Sequence, residues 1–478
     1  MCPPGDAGAA CCTGRVYTRH QDQSAPGRSG ATPRLALQPF YGRQAGCGPD
    51  TLPEPKRRLD AGERAWSGTG PRMLEPGRQE GERARLALPI LIEGAGDWVE
   101  NAFMRALEEY LYTKPVGPHL TVVIADDSRW YAPGARRPVL PKSGKIAEAI
   151  KQGKVVFLDK AAPAHLQRYQ QLRPGIVFVV TPDYTHAMLC REHLDRTLTI
   201  FVEKPFDANY DNVQQLLQAR GLAALDTEIY ALDHYRFYAW RLKEPMAGGP
   251  TVLEAATTWL GGALRRARFC MVEQGPVEAN RLRALQYGLM LDMLPHCFAM
   301  LAFFGKVDSV DELRVLHVGR YTGAPIARET YAQVACTFED YSDNGWRVPC
   351  AAWIGKGLKH ERKFFEVEGR NGQSVLIVLG AKTLWGNPER GYPDREVEGG
   401  MYFVDATGTL TQQAELDRDR YKQLLVDCVE GTRKAIVCAM PLRAGARIVH
   451  ALDRLWGAIQ SHSPWRPYEF REVDCFDI

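Results

Sequence analysis

Three groups of residues have types and spacing that could do chemistry: Glu203-Lys204-Pro205, the pair Asp292 and His296, and Gly94-Ala95-Gly96-Asp97. Asp292 and His296 lie four apart, on one face if their helix is continuous. Hydride removal from a carbinol needs a base for the hydroxyl proton, and an imidazole titrating near ~6.5 suits that at neutral pH. A carboxylate within reach would orient the ring and stabilise its protonated form. The alternative for the same pair is a satisfied buried polar couple. Pro295 costs ~3 kcal/mol or a kink inside a helix, so the helix is expected to begin near it.

The elements that must position these groups can be read from the apolar runs. Leu88 to Ile92 reads as a first strand, followed by the glycine turn and a helix from about Trp98 to Tyr112 with Val99, Phe103, Ala106, Leu107 and Leu111 at helical spacing. Leu120 to Ala125, Val155 to Leu158, Ile176 to Val180 and Thr199 to Val202 read as four more buried strands. Strands alternating with helices predict an α/β, doubly wound parallel sheet of the Rossmann kind. Lys204 then stands at the carboxyl end of a parallel strand, where open α/β sheets bind ligands, and Thr181-Pro182 ends the strand before it. That arrangement suggests a nicotinamide dehydrogenase.

Gly94 and Gly96 would let the backbone approach a pyrophosphate, with the helix start at Trp98 favouring its charge. The third small residue of a G-x-G-x-x-G turn is missing, because Val99 stands there. An ordinary strand–helix turn is the other reading. At the end of the second strand Asp126 or Asp127 could accept from adenosine ribose hydroxyls, favouring NAD, while Arg129 could receive a 2′-phosphate, favouring NADP. The cofactor expectation is NAD or NADP.

Composition sets the frame. A chain of 478 residues, 45% hydrophobic and 24% charged, can bury a large core in at least two domains. A net charge of +3 makes no general case for nucleic acid or membrane as partner. The longest apolar candidate for a membrane span, Leu289 to Phe304, is broken by Asp292, Pro295 and His296. No basic-then-apolar leader opens the chain, and twelve cysteines without a C-x-x-C pair favour neither zinc nor a disulfide framework, so a cytosolic location and no metal are expected. Residues 1–85, rich in Gly, Pro, Arg and Ser, lack the apolar surface to offset an ordering entropy of ~1–2 kcal/mol per residue and are expected to be a disordered extension, with a start at Met73 as a further hypothesis. Residues 86–225 form the expected dinucleotide-binding domain. Residues 226–478 form the expected α+β domain: an apolar segment from Leu285 to Phe304, strands at Ala332–Phe338, Phe364–Glu368 and Val375–Leu379 in a large open antiparallel sheet, and closing helices at Tyr421–Gly431 and Ala444–Ile459.

Glu203-Lys204-Pro205-Phe206, Thr181-Pro182 with His186, and Asp292/His296 resemble the Gfo/Idh/MocA and glucose-6-phosphate dehydrogenase superfamily. Several stretches resemble its second branch. Gly94-Ala95-Gly96-Asp97-Trp98 is similar to a GAxGDL coenzyme turn with one residue fewer, and Leu232-Asp233-His234-Tyr235 to the start of RIDHYLGK. Tyr287 to His296 resembles the segment with the catalytic histidine, and Gly355-Lys356-Gly357-Leu358 with Glu361-Arg362-Lys363 resembles a GKxLxERK sugar loop. The resemblance implies His296 as general base with Asp292 orienting it, and Lys204 between substrate and nicotinamide. It further implies His234 and Tyr235 at a substrate phosphate, Lys356 and Arg362 at the sugar end, and Glu254 as an acceptor for a sugar hydroxyl. A homodimer or homotetramer formed through the open sheet face is implied too.

The departures bear on the substrate. The lysine closing the DHYLGK motif is lost, since Asp233-His234-Tyr235 continues as Arg236-Phe237-Tyr238, and Arg236 is the candidate to replace that cation. Three functions stand: a dehydrogenase of a sugar or sugar phosphate, a catalytically silent cofactor or sugar sensor of the same fold, and a keto-sugar reductase. Retention of Lys204, Asp292 and His296 together argues against the sensor.

Overall fold

The computed structural model describes residues 89–113, 121–127, 144–223, 227–243, 249–277, 288–342, 344–416, 425, 427, 439–462 and 464–478. The expected N-terminal extension, Arg129 and nearly all of the closing helix at 421–431 lie outside the described residues.

Six strands, β1 (Ile90–Glu93), β2 (Val122–Asp126), β3 (Val155–Asp159), β4 (Ile176–Val179), β5 (Thr199–Val202) and β6 (Glu228–Ala231), pair in parallel in the order β3-β2-β1-β4-β5-β6. This is the doubly wound dinucleotide-binding order, with the crevice where it reverses between β1 and β4. The strands are apolar on both faces because both are covered. Ile90 and Ile92 pack with Val99, Phe103, Ile124 and Phe178 on one side. Leu91, Val123, Val177 and Ile200 join the larger core on the other. The helices between strands are α1 (Met104–Thr113, entered through a π-turn at Val99–Phe103), α2 (Lys145–Lys151), α3 (Pro163–Gln171), α4 (His186–His193) and α5 (Tyr210–Ala223). Since β6 belongs to this sheet, the dinucleotide-binding layer extends past residue 225.

Two short helices, α6 (His234–Tyr238) and α7 (Val252–Trp259), lead into the second sheet. Its strand β7 (Leu264–Glu273) precedes α8 (Met290–Leu301), and β8 (Gly305–Tyr321), β9 (Tyr331–Asp340), β10 (Arg347–Lys356), β11 (Arg362–Gly369), β12 (Ser374–Asn387), β13 (Tyr392–Val404) and β14 (Leu410–Ala414) follow. The chain then returns to the first sheet as β15 (Met440–Pro441), antiparallel to β6, runs through α9 (Leu442–Ser461) and ends on the second sheet as β16 (Arg466–Tyr468). The second sheet is ordered β14-β13-β12-β11-β7-β10-β9-β8-β16. Its neighbours are antiparallel except β7 with β10 and β8 with β16. Two layers of different chemistry thus meet along α8.

Every residue of α8 is buried except Asp292, so this helix runs through the core and shows the cleft one side chain. It does not start at Pro295, as the sequence suggests, but five residues earlier; the apolar side chains around the proline hold the turn in place. Its start is fixed by Glu329, fully buried, whose Oε1 accepts the Met290 N–H at 3.2 Å. Gly288 adopts a φ of 68°, and a Cβ there would collide with the Glu329 carboxylate, so glycine is required twice over. Burial pushes the Glu329 pKa up to about 7 despite the backbone donors. A carboxyl that binds its proton more tightly when folded stabilises the fold most below about pH 4.5, and that contribution is lost as pH rises towards 7. Glu329→Gln is therefore expected to match the wild type in melts at pH 4 and to exceed it by roughly 3 kcal/mol at pH 8. A constant difference across that range would show that Glu329 does not titrate there.

Candidate active site

Three carboxyl ends of parallel strands build one wall of a cleft. After β1, Gly94 takes a φ of 105°, and a Cβ on it would strike the Val180 carbonyl, so only glycine lets β1 and β4 close up here. Gly96 has no atom near the position of a Cβ, and Gly96, Asp97 and Trp98 are exposed. The turn is therefore open on the side a pyrophosphate would approach, at the start of a helix, and fits a dinucleotide. Asp126 and Asp127 lie at the end of β2, both buried, with the Asp127 N–H donating to Asp126 Oδ1 at 2.8 Å. Topology puts them where a ribose sits in this fold. Trp98 reaches over the turn, its Nε1 donating to Glu203 Oε1 at 3.1 Å and its ring 5.6 Å from that of His234.

Lys204 follows β5, and its bond to Pro205 is cis. Its Nζ donates to Asp292 Oδ1 at 2.9 Å and to the Asp292 carbonyl at 2.6 Å. A proline in a helix supplies no N–H and tilts nearby carbonyls outward. Pro295 leaves the Leu291 carbonyl without its helical donor, and the helix runs on to Leu301.

The ring of His296 is oriented by Asp233, not by Asp292. His296 Nδ1 donates to Asp233 Oδ2 at 2.7 Å. Asp233 sits just beyond β6 and caps α6, its Oδ1 accepting the N–H groups of Tyr235 and Arg236 at 3.1 Å each. Burial alone would raise its pKa, but His296, His234 and the backbone donor hold it well below the usual carboxylate range. Burial pushes the His296 pKa down, with Asp233 pulling the other way. A neutral ring with its proton on Nδ1 presents the Nε2 lone pair, which is what a general base requires. His234 and Tyr235 pack against that ring, with centroids 4.7 and 4.6 Å away. Nothing local in the sequence marks Asp233 as the orienting group; only its place in the DHY stretch could have.

Several predicted ligand groups have partners within the protein. Arg236 is buried, its guanidinium 4.3 Å above the Phe303 ring and donating to the Ala299 carbonyl at 2.9 Å, so it serves the core rather than an anion. Arg362 is buried, forked onto Asp394 at 2.9 and 2.6 Å and bonded to Asp474 at 2.9 Å. Lys356 pairs with Glu273 at 2.8 Å. Glu254 closes a capping box with Thr251 at the start of α7. Thr181 and Pro182 stay at the end of β4, with Thr181 Oγ1 2.7 Å from Thr185 Oγ1. Among the described residues no group of His, Cys, Asp and Glu is arranged to hold a metal, and no helix is long and apolar enough to cross a membrane.

Residues 140–221, which include Lys204 and the Thr181 turn, match a family model described as an oxidoreductase family with an NAD-binding Rossmann fold. This segment is similar to the Gfo/Idh/MocA oxidoreductases. Solved structures carry the likeness of fold over about four-fifths of the chain. A glucose-6-phosphate 1-dehydrogenase from Mycobacterium avium superimposes with a TM-score of 0.51 at 15% identity, covering 81% of this chain and 94% of its own. A UDP-N-acetylglucosamine 3-dehydrogenase from Acidithiobacillus ferrooxidans gives 0.50 at 13%, covering 78% and 98%. An Agrobacterium radiobacter oxidoreductase in complex with NAD+, L-tartaric acid and magnesium gives 0.51 at 12%, covering 78% and 97%. No curated protein matches by sequence. Identities this low show likeness of fold, and the two-domain architecture of these structures is present here.

If Arg362 is structural, Arg362→Met strands two carboxylates and should lower the unfolding free energy by ~3 kcal/mol in denaturant melts. A melt indistinguishable from wild type would return Arg362 to the list of candidate ligands.

Proposed function

We propose that this chain is an NAD(P)-dependent dehydrogenase that oxidises a ring carbinol of a sugar lacking a phosphate. The observation that supports the chemistry best is the pairing of Asp233 with His296 Nδ1, one helix turn from the Lys204–Asp292 pair. A bound nicotinamide supplies the hydride acceptor. The carbinol O–H proton passes to His296 Nε2, and the Asp233 carboxylate stabilises the imidazolium that results. Two donors of Lys204 Nζ are held by Asp292, which aims the ammonium so that its remaining donor can hold the reacting oxygen as the carbonyl forms. Asp292, one-quarter exposed, is the carboxylate of α8 that faces the cleft. In the reverse direction the same His296, once protonated, would serve as acid.

The absence of a phosphate from the proposed substrate follows from where the positive charges go. Among the described residues Arg236, Lys356 and Arg362 each have protein partners, three of them carboxylates. Lys363 pairs with Glu273 and Glu361 at 2.9 and 3.1 Å. Binding a dianion would require breaking one of these pairs and desolvating the ion that remains, a cost of several kcal/mol. A neutral polyol asks only for hydrogen bonds.

The test offers glucose 6-phosphate and unphosphorylated sugars with NAD and with NADP and follows reduced nicotinamide. Turnover of a neutral sugar is expected, with Asp233→Asn and His296→Asn each lowering it ~10²–10⁴-fold and leaving coenzyme affinity within about twofold. Preference for the phosphate ester would refute the neutral-sugar assignment. Coenzyme binding without turnover of any substrate would favour the silent sensor.

A further inference from the structure

His186, the first residue of α4, is fully buried and touches no group in the cleft. Its Nε2 lies 2.8 Å from the Thr181 carbonyl oxygen and its Nδ1 lies 2.9 Å from the Pro205 carbonyl oxygen. A carbonyl can only accept, whereas a neutral imidazole has one N–H and one lone pair. In a neutral ring one of these two contacts would set lone pair against lone pair in a buried setting. Only the imidazolium donates to both.

The carboxylates facing the ring are Asp183, just before α4, and Asp207, two residues beyond Pro205. Both are buried. Asp207 Oδ2 accepts the Ala187 N–H at 2.8 Å, and its Oδ1 accepts from the Asn209 N–H at 2.8 Å and from Asn212 Nδ2 at 3.1 Å. Burial works against both charges, drawing the ring's pKa down and the carboxyl's up. Hydrogen-bond polarity decides the matter: every partner of the ring accepts, and every partner of Asp207 donates. The proton therefore belongs on His186.

We propose that His186 is a positioning residue kept as an imidazolium, which ties the Thr181-Pro182 turn to the Pro205 carbonyl, one residue beyond Lys204, and so fixes that lysine against Asp292. The two tethered loops end the adjacent strands β4 and β5, on the cleft side of the sheet. Loss of the second N–H would release one of them. The functional consequence rests on the dehydrogenase reading, but the protonation state does not.

The full chain, labelled with ¹⁵N-histidine, is read by NMR without coenzyme or sugar, and the His186 signals are assigned by their loss in His186→Gln. Two protonated nitrogens are expected from pH 6 to 9. Asp207→Asn should bring loss of the second proton into that range. A bare ring nitrogen in the wild type at pH 7, or an Asp207→Asn ring unchanged from the wild type, would overturn the proposal. Positioning is read separately by acetic anhydride labelling: in His186→Gln, labelling of Lys204 should rise at least threefold relative to Lys306, an exposed lysine of β8 paired with Glu339. An equal rise at both lysines would mean that the fold has loosened generally and that His186 does not position Lys204. Should His186→Gln fail to fold, Asp207→Asn carries the same labelling comparison. Because the ring is read without ligands, failure of this proposal and failure of the dehydrogenase reading are told apart.

Discussion

Asp233 carries its charge at 1% exposure, a position that costs several kcal/mol unless its oxygens are well used. Two backbone N–H groups at the start of α6 take Oδ1, and the imidazole N–H of His296 takes Oδ2. The carboxylate is thereby fixed by β6 and α6, elements of the first sheet and its exit, while the histidine comes from α8, threaded into the second. The site exists only where these two layers meet in one register. A shift of α8 by one residue would take the ring off Asp233 and Asp292 off Lys204 together, so the two pairs report on a single packing arrangement.

That arrangement accommodates an otherwise unfavourable proline. Pro295 sits inside α8, where it forfeits a hydrogen bond, yet the helix is enclosed by apolar neighbours and continues to Leu301. In the turn before Pro295, the Asp292 carbonyl serves Lys204 along with the side chain of the same residue. Glu329 closes the other end of the same turn from beneath, between Gly288 and the Met290 N–H. The first turn of α8 is thus pinned from both sides, by a lysine from the cleft and a carboxyl from the core.

The strands of the first sheet were legible because each is a short apolar run buried on both faces, bounded by turn residues, and β5 begins and ends where its run does. Lys204 was legible for the same reason, since a strand end in a parallel sheet is a place as much as a residue. Asp233 was not, because the group it orients lies 63 residues away and no local periodicity joins them. Pro295 misled for a related reason: its intrinsic cost argues for a helix start, and tertiary packing overrides it. The basic loop was legible only in part. Lys356 and Arg362 look like ligand groups in sequence, but their partners Glu273, Asp394 and Asp474 come from distant segments that only the sheet brings together.

The contrast between two buried carboxylates shows what separates a structural charge from a reactive one. Glu93, under the glycine turn, accepts from Tyr169 at 2.5 Å and His193 at 2.8 Å on one oxygen and from Lys160 at 3.1 Å on the other. Although burial opposes it, these partners, Lys160 foremost, hold its pKa down to about 2. The network joins the ends of β1 and β3 to α3 and α4. Every group in it is within the interior, so its effect is to stiffen the base of the turn where a coenzyme would rest. Asp233 has the same depth and a similar partner, yet its histidine has a second nitrogen beside Lys204 and Asp292. A buried carboxylate becomes chemically useful when the partner it charges or orients keeps one atom free for a substrate, and Nε2 of His296 is that atom here.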